Sequence, residues 1–298
     1  MVSVLRNRKA IAVFVLPAAL VYLFSVFVPI AWSVVYSLYA GMPGLSFKFT
    51  GLLNYAKMWT DRLFLGAFWM NLEYVAIVVT GQVGLGLLLS LLFMFGIRTY
   101  KTTVRTLVFF PVVLPVVAVG QLFNKIFEIT PTNGLFNSLL VLLGLKGWVQ
   151  PWLGQNTTAF LALCAMDTWT AMGFYAIIFF AALMDVPQEI VEAARIDGAG
   201  GPRLLREILL PALRPITVTC LVFSFTGTLK VFESAMALTR GGPGTATKTL
   251  SMYMYDTSFL YSQYGYGSAI AVFIFIECIL ISGILNGVFG RQQREGGS

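Results

Sequence analysis

The chain is 298 residues long, 58% hydrophobic and 11% charged, with a mean hydropathy of +0.81. Soluble domains carry roughly 45–50% apolar and about 25% charged residues, so this balance excludes a water-soluble fold and implies an integral membrane protein. Its 20 Lys and Arg exceed its 13 Asp and Glu, giving +7 with no histidine; the excess suits lipid headgroups, and the clustered basic patches with interleaved aromatics that nucleic-acid binding needs are absent.

A helix that crosses a bilayer needs about 20 mostly apolar residues, and six segments reach that length. The first, near Ile11–Leu38, follows Arg6, Arg8 and Lys9. Its apolar run is roughly twice the length of a secretory apolar core, which predicts an uncleaved first span. The second is expected near Phe68–Phe95 and the third near Thr103–Phe127. Pro17, Pro29, Pro111, Pro115, Pro211 and Pro215 lie within or at the ends of spans, where neighbouring helices can satisfy the carbonyls they free; they are candidate hinges or ordinary membrane-helix prolines. The connection from Glu128 to Thr157 carries an amphipathic stretch, Gly134–Leu145, which is too short to cross and is expected at the interface. The fourth span is expected near Thr158–Leu183, the fifth near Ile208–Leu238 and the sixth near Gly267–Phe289. Cys164, Cys220 and Cys278 fall in three different spans as small core hydrophobes and offer no disulfide framework or metal cluster.

With the N terminus inside, the short inner loops hold Arg6, Arg8, Lys9, Arg98, Lys101, Arg105, Arg195, Arg203, Arg206, Arg214, Arg291 and Arg294, which are 12 of the 20 basic residues. That bias predicts both termini in the cytoplasm, in agreement with an even number of spans. The expected fold is an all-α integral membrane protein: one transmembrane domain over 1–298 with six transmembrane helices. The loop 184–207, between helices four and five, then lies on the cytoplasmic side.

Within that loop Asp185 is expected to cap a helix, with Gln188 closing a capping box and Pro187 in the first turn. The helix should run to about Ile196, with Val186, Ile190, Ala193 and Ala194 on one face and Glu189, Glu192 and Arg195 beside it. So short a helix is marginal alone and needs a partner for its apolar face. The small Ala193 and Ala194 would allow close approach in a groove of another protein. Gly198 is placed to end the helix in the left-handed region, and Pro202 to start a second helix, Pro202–Leu210, leading into span five.

Charges inside a bilayer usually face the bundle interior or a wet cavity. Asp167, Lys230, Glu233 and Glu277 are the deepest candidates. On the fifth span Thr219, Phe223, Thr226, Lys230 and Glu233 recur at intervals of three or four, a polar stripe with an aromatic in it. Asp167, Thr170 and Phe174 share a face of the fourth, with Trp169 and Tyr175 nearby, and Asn71, Gln82, Gln121 and Asn124 add amides on the second and third. Aromatics and amides with few charges suit a neutral polyhydroxylated ligand along a pathway. The competing account is structural: Lys230 and Glu233 as an ion pair, hydroxyls as helix–helix glue.

The spacing Glu192, Ala193, Ala194, three residues, Gly198, nine residues, Ile208, one residue, Leu210 and Pro211 resembles the cytoplasmic loop signature of permease subunits of ATP-driven, binding-protein-dependent importers. Leu238, Thr239, Gly241, Gly242, Pro243, Thr247, Tyr253, Tyr255, Tyr264 and Gly265, with Leu16 and Pro17 at the first span, resemble the carbohydrate branch of that family, the upstream permease of maltose, multiple-sugar and glycerol-phosphate importers. The resemblance runs from Leu16 to about Ile281 and lacks the large extracellular domain and extra N-terminal spans of the maltose-type subunit. It implies a non-catalytic subunit in the prokaryotic cytoplasmic membrane. Glu192, Ala193, Ala194, Arg195, Asp197 and Gly198 would form the contact with a nucleotide-binding ATPase, present in two copies. A second permease would complete a heterodimer, and an extracellular or periplasmic solute-binding protein would deliver the solute. No cofactor is expected in this chain, ATP and Mg being held by the ATPase subunits.

The segment Gly242–Thr249, GPGTATKT, imitates a phosphate-binding loop, but Thr247 stands where the second glycine belongs. The sequon at Asn156 abuts a span and is weak. An ion-coupled secondary carrier using Asp167 and Glu277 is the alternative, disfavoured by the lack of an evident inverted repeat. A membrane-embedded enzyme finds no His and no Ser/His/Asp constellation.

Overall fold

A computed structural model of the chain describes residues 8–96, 101–129 and 133–295, with side chains over 13–96, 102–129 and 133–287. Arg6 and Arg98 of the inner-loop charges lie outside the described residues, and the side chains of Arg8, Lys9, Lys101, Arg291 and Arg294 lie outside the described side chains.

The helices are α1 (Val13–Tyr36), α2 (Leu53–Met58), α3 (Arg62–Gly96), α4 (Thr102–Val113), α5 (Val116–Ile126), α6 (Leu135–Leu142), α7 (Asn156–Met184), α8 (Gln188–Ile196), α9 (Gly201–Ala212), α10 (Arg214–Leu229), α11 (Glu233–Leu238), α12 (Leu250–Tyr255) and α13 (Tyr264–Glu295). One two-stranded antiparallel hairpin, β1 (Tyr39–Ala40) and β2 (Lys48–Phe49), pairs Tyr39 with Phe49 and Ala40 with Lys48. Among the described residues four helices are long and apolar enough to cross a membrane: α1, α3, α7 and α13 over Tyr264–Gly287. The count reaches six if the bent pairs α4–α5 and α9–α10 each make one span.

Those bends correct two expected spans. The segment expected as a third span turns by 101° between α4 and α5. Pro115 sits there in an extended conformation, φ −58°, ψ 132°, and a proline pushes the residue before it out of the helical region, so Leu114 cannot carry the helix through. The expected fifth span starts earlier, bends by 63° between α9 and α10 ahead of Pro215, and is interrupted again before α11. The second span begins at Arg62, six residues before the expected Phe68. Within Gly134–Leu145 the helix is α6, and its Leu135 and Leu142 are exposed.

The chain forms two compact units, described in turn. One comprises residues up to Arg62 with Tyr253–Phe275. Here α1 buries none of its described side chains. The hairpin is held by aromatic packing, Tyr39 stacked on Phe47 at 4.7 Å, and by Asn54, whose Nδ2 donates to the carbonyls of Ser37 and Tyr39 at 2.8 and 2.7 Å. The Asp61 carboxylate accepts the hydroxyls of Tyr253 and Tyr266 at 2.5 and 2.7 Å, and the Lys57 ammonium lies 4.1 Å above the Tyr266 ring. Gly265 passes so close to the Tyr39 carbonyl that a Cβ would sit 1.8 Å from its oxygen, a contact only glycine permits.

The other unit is Leu63–Met252 with the chain from Ile276. Its core joins Tyr74, Val78 and Val79 of α3 to Leu163, Met166 and Phe179 of α7 and Cys220 and Leu229 of α10, all buried. Helices α4 and α7 pack almost backbone to backbone, since a Cβ on Gly173 would meet the Val108 carbonyl oxygen at 2.2 Å. Cys164 and Cys220 are free and buried, in keeping with small core hydrophobes.

Candidate functional site

The loop 184–207 is built by two prolines and a glycine. Helix α7 runs on through Asp185, whose N–H donates to the Ala181 carbonyl at 3.1 Å. Val186 precedes Pro187 and cannot stay helical, and Pro187, at φ −56° and ψ 129°, is itself the cap of α8. Two expectations are thereby corrected: Asp185 ends the preceding helix instead of capping the next, and Gln188 is the first helical residue, so no capping box forms.

At the other end the sequence is legible in detail. The helix stops at Ile196 and Gly198 takes φ +80°. The Gly198 N–H donates to the Arg195 carbonyl at 3.1 Å and the Ala199 N–H to the Ala194 carbonyl at 2.8 Å, the paired bonds of a Schellman cap. Ala194 and Ala199, joined by that cap, are both buried in the core with Val186 and Val191 packed beside them.

The inward face therefore differs from the expected one. Val186 and Ala194 face in, whereas Ala193 is exposed and Ile190 is 48% exposed. Helical spacing cannot distinguish two adjacent stripes, and the Ala199 anchor rotates α8 towards Val191. The outer face consists of Glu189, Glu192, Ala193 and Ile196, at i, i+3, i+4 and i+7. Ile196 is 86% exposed; that stripe was visible in the sequence, but nothing there marked it as the outer one. Arg195, Asp197 and Gly198 are exposed as well.

Beneath α8 lies a groove of about 770 Å³ lined by Ile178, Ala182, Val186, Ile190, Ile208 and Ile216, with Asp185 and Glu207 also on its wall. The second helix of the loop is α9, longer at both ends than the expected Pro202–Leu210, with an exposed Arg203–Glu207 pair at 3.0 Å. Pro202 lies in its first turn, so the connection from α8 to the bent span is short and stiff.

The nine expected pathway residues separate into two sets. Phe223, 55% exposed, lies with Lys230 and Glu233 on the exposed face of span five, Thr226 half-buried among them, and Gln121 is exposed on α5. Among the described residues Lys230 and Glu233 form no ion pair with each other. The second set is interior. Asn71 and Tyr175 are buried, Trp169 packs on Phe123 at 5.5 Å, and Asp167 accepts the Tyr74 hydroxyl and bonds Ser234. Gln82 links the same helices, donating to the Asp167 carbonyl at 3.1 Å and accepting the Ser224 hydroxyl at 2.8 Å.

Between α10 and α11 the backbone is not helical over Lys230–Phe232. Irregular backbone at membrane depth needs partners for its polar groups. The Leu229 carbonyl accepts Asn71 Nδ2 at 3.0 Å and the Val231 carbonyl accepts Thr249 Oγ1 at 2.8 Å. At the far end of α11 Asn124 Nδ2 reaches the Leu238 carbonyl at 3.1 Å. The glycine-rich segment that follows is closed on itself: buried Thr247 donates to the Gly242 carbonyl at 2.9 Å and shares a hydrogen bond with Thr239 at 2.6 Å.

The sequence profile described as "Binding-protein-dependent transport system inner membrane component" matches residues 82–295. The chain belongs to that family. It is thus a membrane-embedded permease component of a binding-protein-dependent transport system. This permease is 33% identical over 255 residues to the probable ABC transporter permease protein YurN of Bacillus subtilis (strain 168), covering 85% of this chain and 87% of that one. It is 30% identical over 284 residues to the lactose transport system permease protein LacF of Rhizobium radiobacter, covering 94% of both. Its fold is that of a chain in a solved bacterial ABC transporter involved in the import of the acidic polysaccharide alginate, with a TM-score of 0.83 at 21% identity, covering 94% of this permease and 95% of that chain.

Proposed function

We propose that this permease is the upstream-type membrane subunit of a carbohydrate importer, with six spans in which each bent pair counts as one crossing. Both termini and the loop 184–207 lie in the cytoplasm. Helix α8 is the coupling helix: Glu189, Glu192, Ala193 and Ile196 offer a face with acid at the rim and an isoleucine at the tip to a groove of the ATPase, and Arg195, Asp197 and Gly198 complete the contact. The observation that carries this reading is the Schellman cap at Gly198, which ties an otherwise exposed short helix to the core through Ala194 and Ala199 and passes it, by way of Pro202, to span five. Force on α8 thereby reaches a membrane helix with little slack.

The chain hydrolyses no ATP; two copies of an ATPase subunit bind ATP and Mg, and their closure favours one arrangement of the spans over another. A second permease pairs with it as a heterodimer, and the exposed stripe Phe223, Thr226, Lys230 and Glu233 faces the shared pathway with Gln121 near its side. The solute is a sugar or oligosaccharide handed over by a binding protein. The lactose system permease supports the carbohydrate class, as do relatives described as sulfoquinovosyl glycerol and trehalose/maltose transport system permeases.

The test is to tag the chain in its host, extract it in mild detergent and identify what co-purifies. Recovery of a second permease and a nucleotide-binding ATPase, with uptake of labelled sugar that stops on ATP depletion and survives an ionophore, is the expected result. Recovery of the chain alone, under conditions that preserve a known importer, overturns it.

A further inference from the structure

The amide on span two that caps the break in span five uses only half of its hydrogen-bonding capacity. Asn71 is 0% exposed and donates Nδ2 to the Leu229 carbonyl at 3.0 Å. Only the nitrogen can donate, so that bond fixes which way the carboxamide points. Its Oδ1 is then buried without a partner. Capping a single carbonyl needs one donor, which a hydroxyl would supply as well. An amide brings an acceptor of equal strength, and burying an unmatched acceptor disfavours the arrangement that contains it.

The break beside it has the form of a hinge. Lys230 stands at φ −102°, ψ 21° and Phe232 at φ −136°, ψ −54°, so rotation about a few backbone dihedrals would swing α11 relative to α10. On the α10 side the helix is pinned, since Ser224 donates to Gln82, which in turn holds the Asp167 carbonyl. Lys230 opens the break and Glu233 follows it, both exposed, so a change in the break redirects one end of the polar stripe.

We propose that Asn71 is a positioning residue of the transport cycle: it holds the break in span five in the present arrangement through the Leu229 carbonyl, and in the alternative arrangement its Oδ1 accepts a backbone N–H of the break. The unmatched acceptor keeps the two arrangements close in free energy, which a two-state element driven by ATP requires. This rests on the importer reading and adds to it the element that moves.

The experiment uses the complete complex, with partner permease, ATPases and binding protein, in proteoliposomes. Wild-type uptake that depends on ATP is measured first; its absence would overturn the importer reading, independently of Asn71. Asn71→Leu keeps the approximate size and removes the donor and the acceptor together. In assembled complexes it should raise ATPase activity without solute about threefold or more and lower transported solute per ATP at least fivefold, with KM for solute within about twofold. A change in KM alone would make Asn71 a solute contact, and normal transport per assembled complex would make it merely structural; either overturns the proposal. Should the variant not assemble, spin labels at Thr219→Cys on α10 and Met236→Cys on α11, both exposed positions, report on the hinge in the complex that keeps Asn71. Their separation should differ between the nucleotide-free and ATP-trapped complexes, and one unchanged distance in both states overturns the hinge.

Discussion

The N–H of Ala199 lies 2.8 Å from the carbonyl oxygen of Ala194, and the turn that brings them together needs Gly198 at φ +80°. A Cβ at Gly198 would meet nothing within 4 Å, so the penalty on Gly198→Ala is conformational alone, about 1–2 kcal/mol for a left-handed residue. The fold around α8 survives that loss, but the rigidity of its link to α9 does not. Gly198→Ala is expected to leave insertion and assembly intact and to lower the ratio of solute transported to phosphate released, with Gly198→Val stronger because its branched side chain resists the left-handed region further. Glu192→Lys, on the outer face, should lower the same ratio without touching the cap. Unchanged ratios in all three variants would remove α8 from the coupling path.

A pair of glycines separates packing from conformation. Gly173 meets the Val108 carbonyl oxygen at 2.2 Å from an added Cβ, whereas Gly84 meets nothing within 4 Å. Neither backbone is left-handed. Gly173→Ala must push α4 from α7, and overpacking of this kind costs about 1–3 kcal/mol. Gly84→Ala should be neutral or stabilising by up to about 1 kcal/mol, the helix-propensity difference. The apparent melting temperature of the detergent-solubilised complex distinguishes them: Gly173→Ala should fall by several degrees or fail to assemble, and Gly84→Ala should hold or rise. Equal behaviour would mean that α4 and α7 are not in this close contact.

If the exposed face of span five lines the pathway, its aromatic should act on solute affinity before turnover. Phe223→Ala removes a ring that can stack on a sugar face, a contact worth about 0.5–1.5 kcal/mol by analogy with aromatic pairs. KM for uptake should rise roughly two- to tenfold with assembly and basal ATPase activity unchanged. Tyr175→Phe, on a buried side chain, should leave KM where it is. The reverse pattern would move the pathway to the interior set.

These residues also show what a sequence can carry. The end of α8 was readable because a glycine after a helix and a proline in the first turn of the next are local chemistry. Its inward face was not, because Val186, Ile190, Ala193 and Ala194 have sound helical spacing and only the tertiary anchor at Ala199 selects Val191 instead. Span three shows the same limit. Pro111 and Pro115 announced a possible hinge, but a 101° turn depends on how α5 packs against α11. The stripe on span five was legible as a stripe, whereas its exposure, and the burial of Asn71 and Asp167, follow from which helices surround each one.

One cluster outside the candidate site has a measurable signature in alkali. Tyr253 donates to Asp61 at 2.5 Å. Burial, and then the hydrogen bond and charge of Asp61, push its phenol up from the ordinary value. A raised phenol binds its proton more tightly in the folded state than in the unfolded chain. The stability this contributes is fully present below the unfolded value of about 10, and it is lost as pH climbs from there through the folded value. The solubilised protein should therefore hold its melting temperature from neutral pH to about 9.5 and lose it progressively above about 10. Tyr253→Phe deletes both the bond and the titration. It should be less stable near pH 8, by about 1.5–3 kcal/mol if the hydrogen bond to the carboxylate is fully lost, and its alkaline decline should be shallower than that of the wild type. Parallel declines in the two proteins would show that Tyr253 gives up its proton in the folded state as readily as in the unfolded one, and that Asp61 does not hold it.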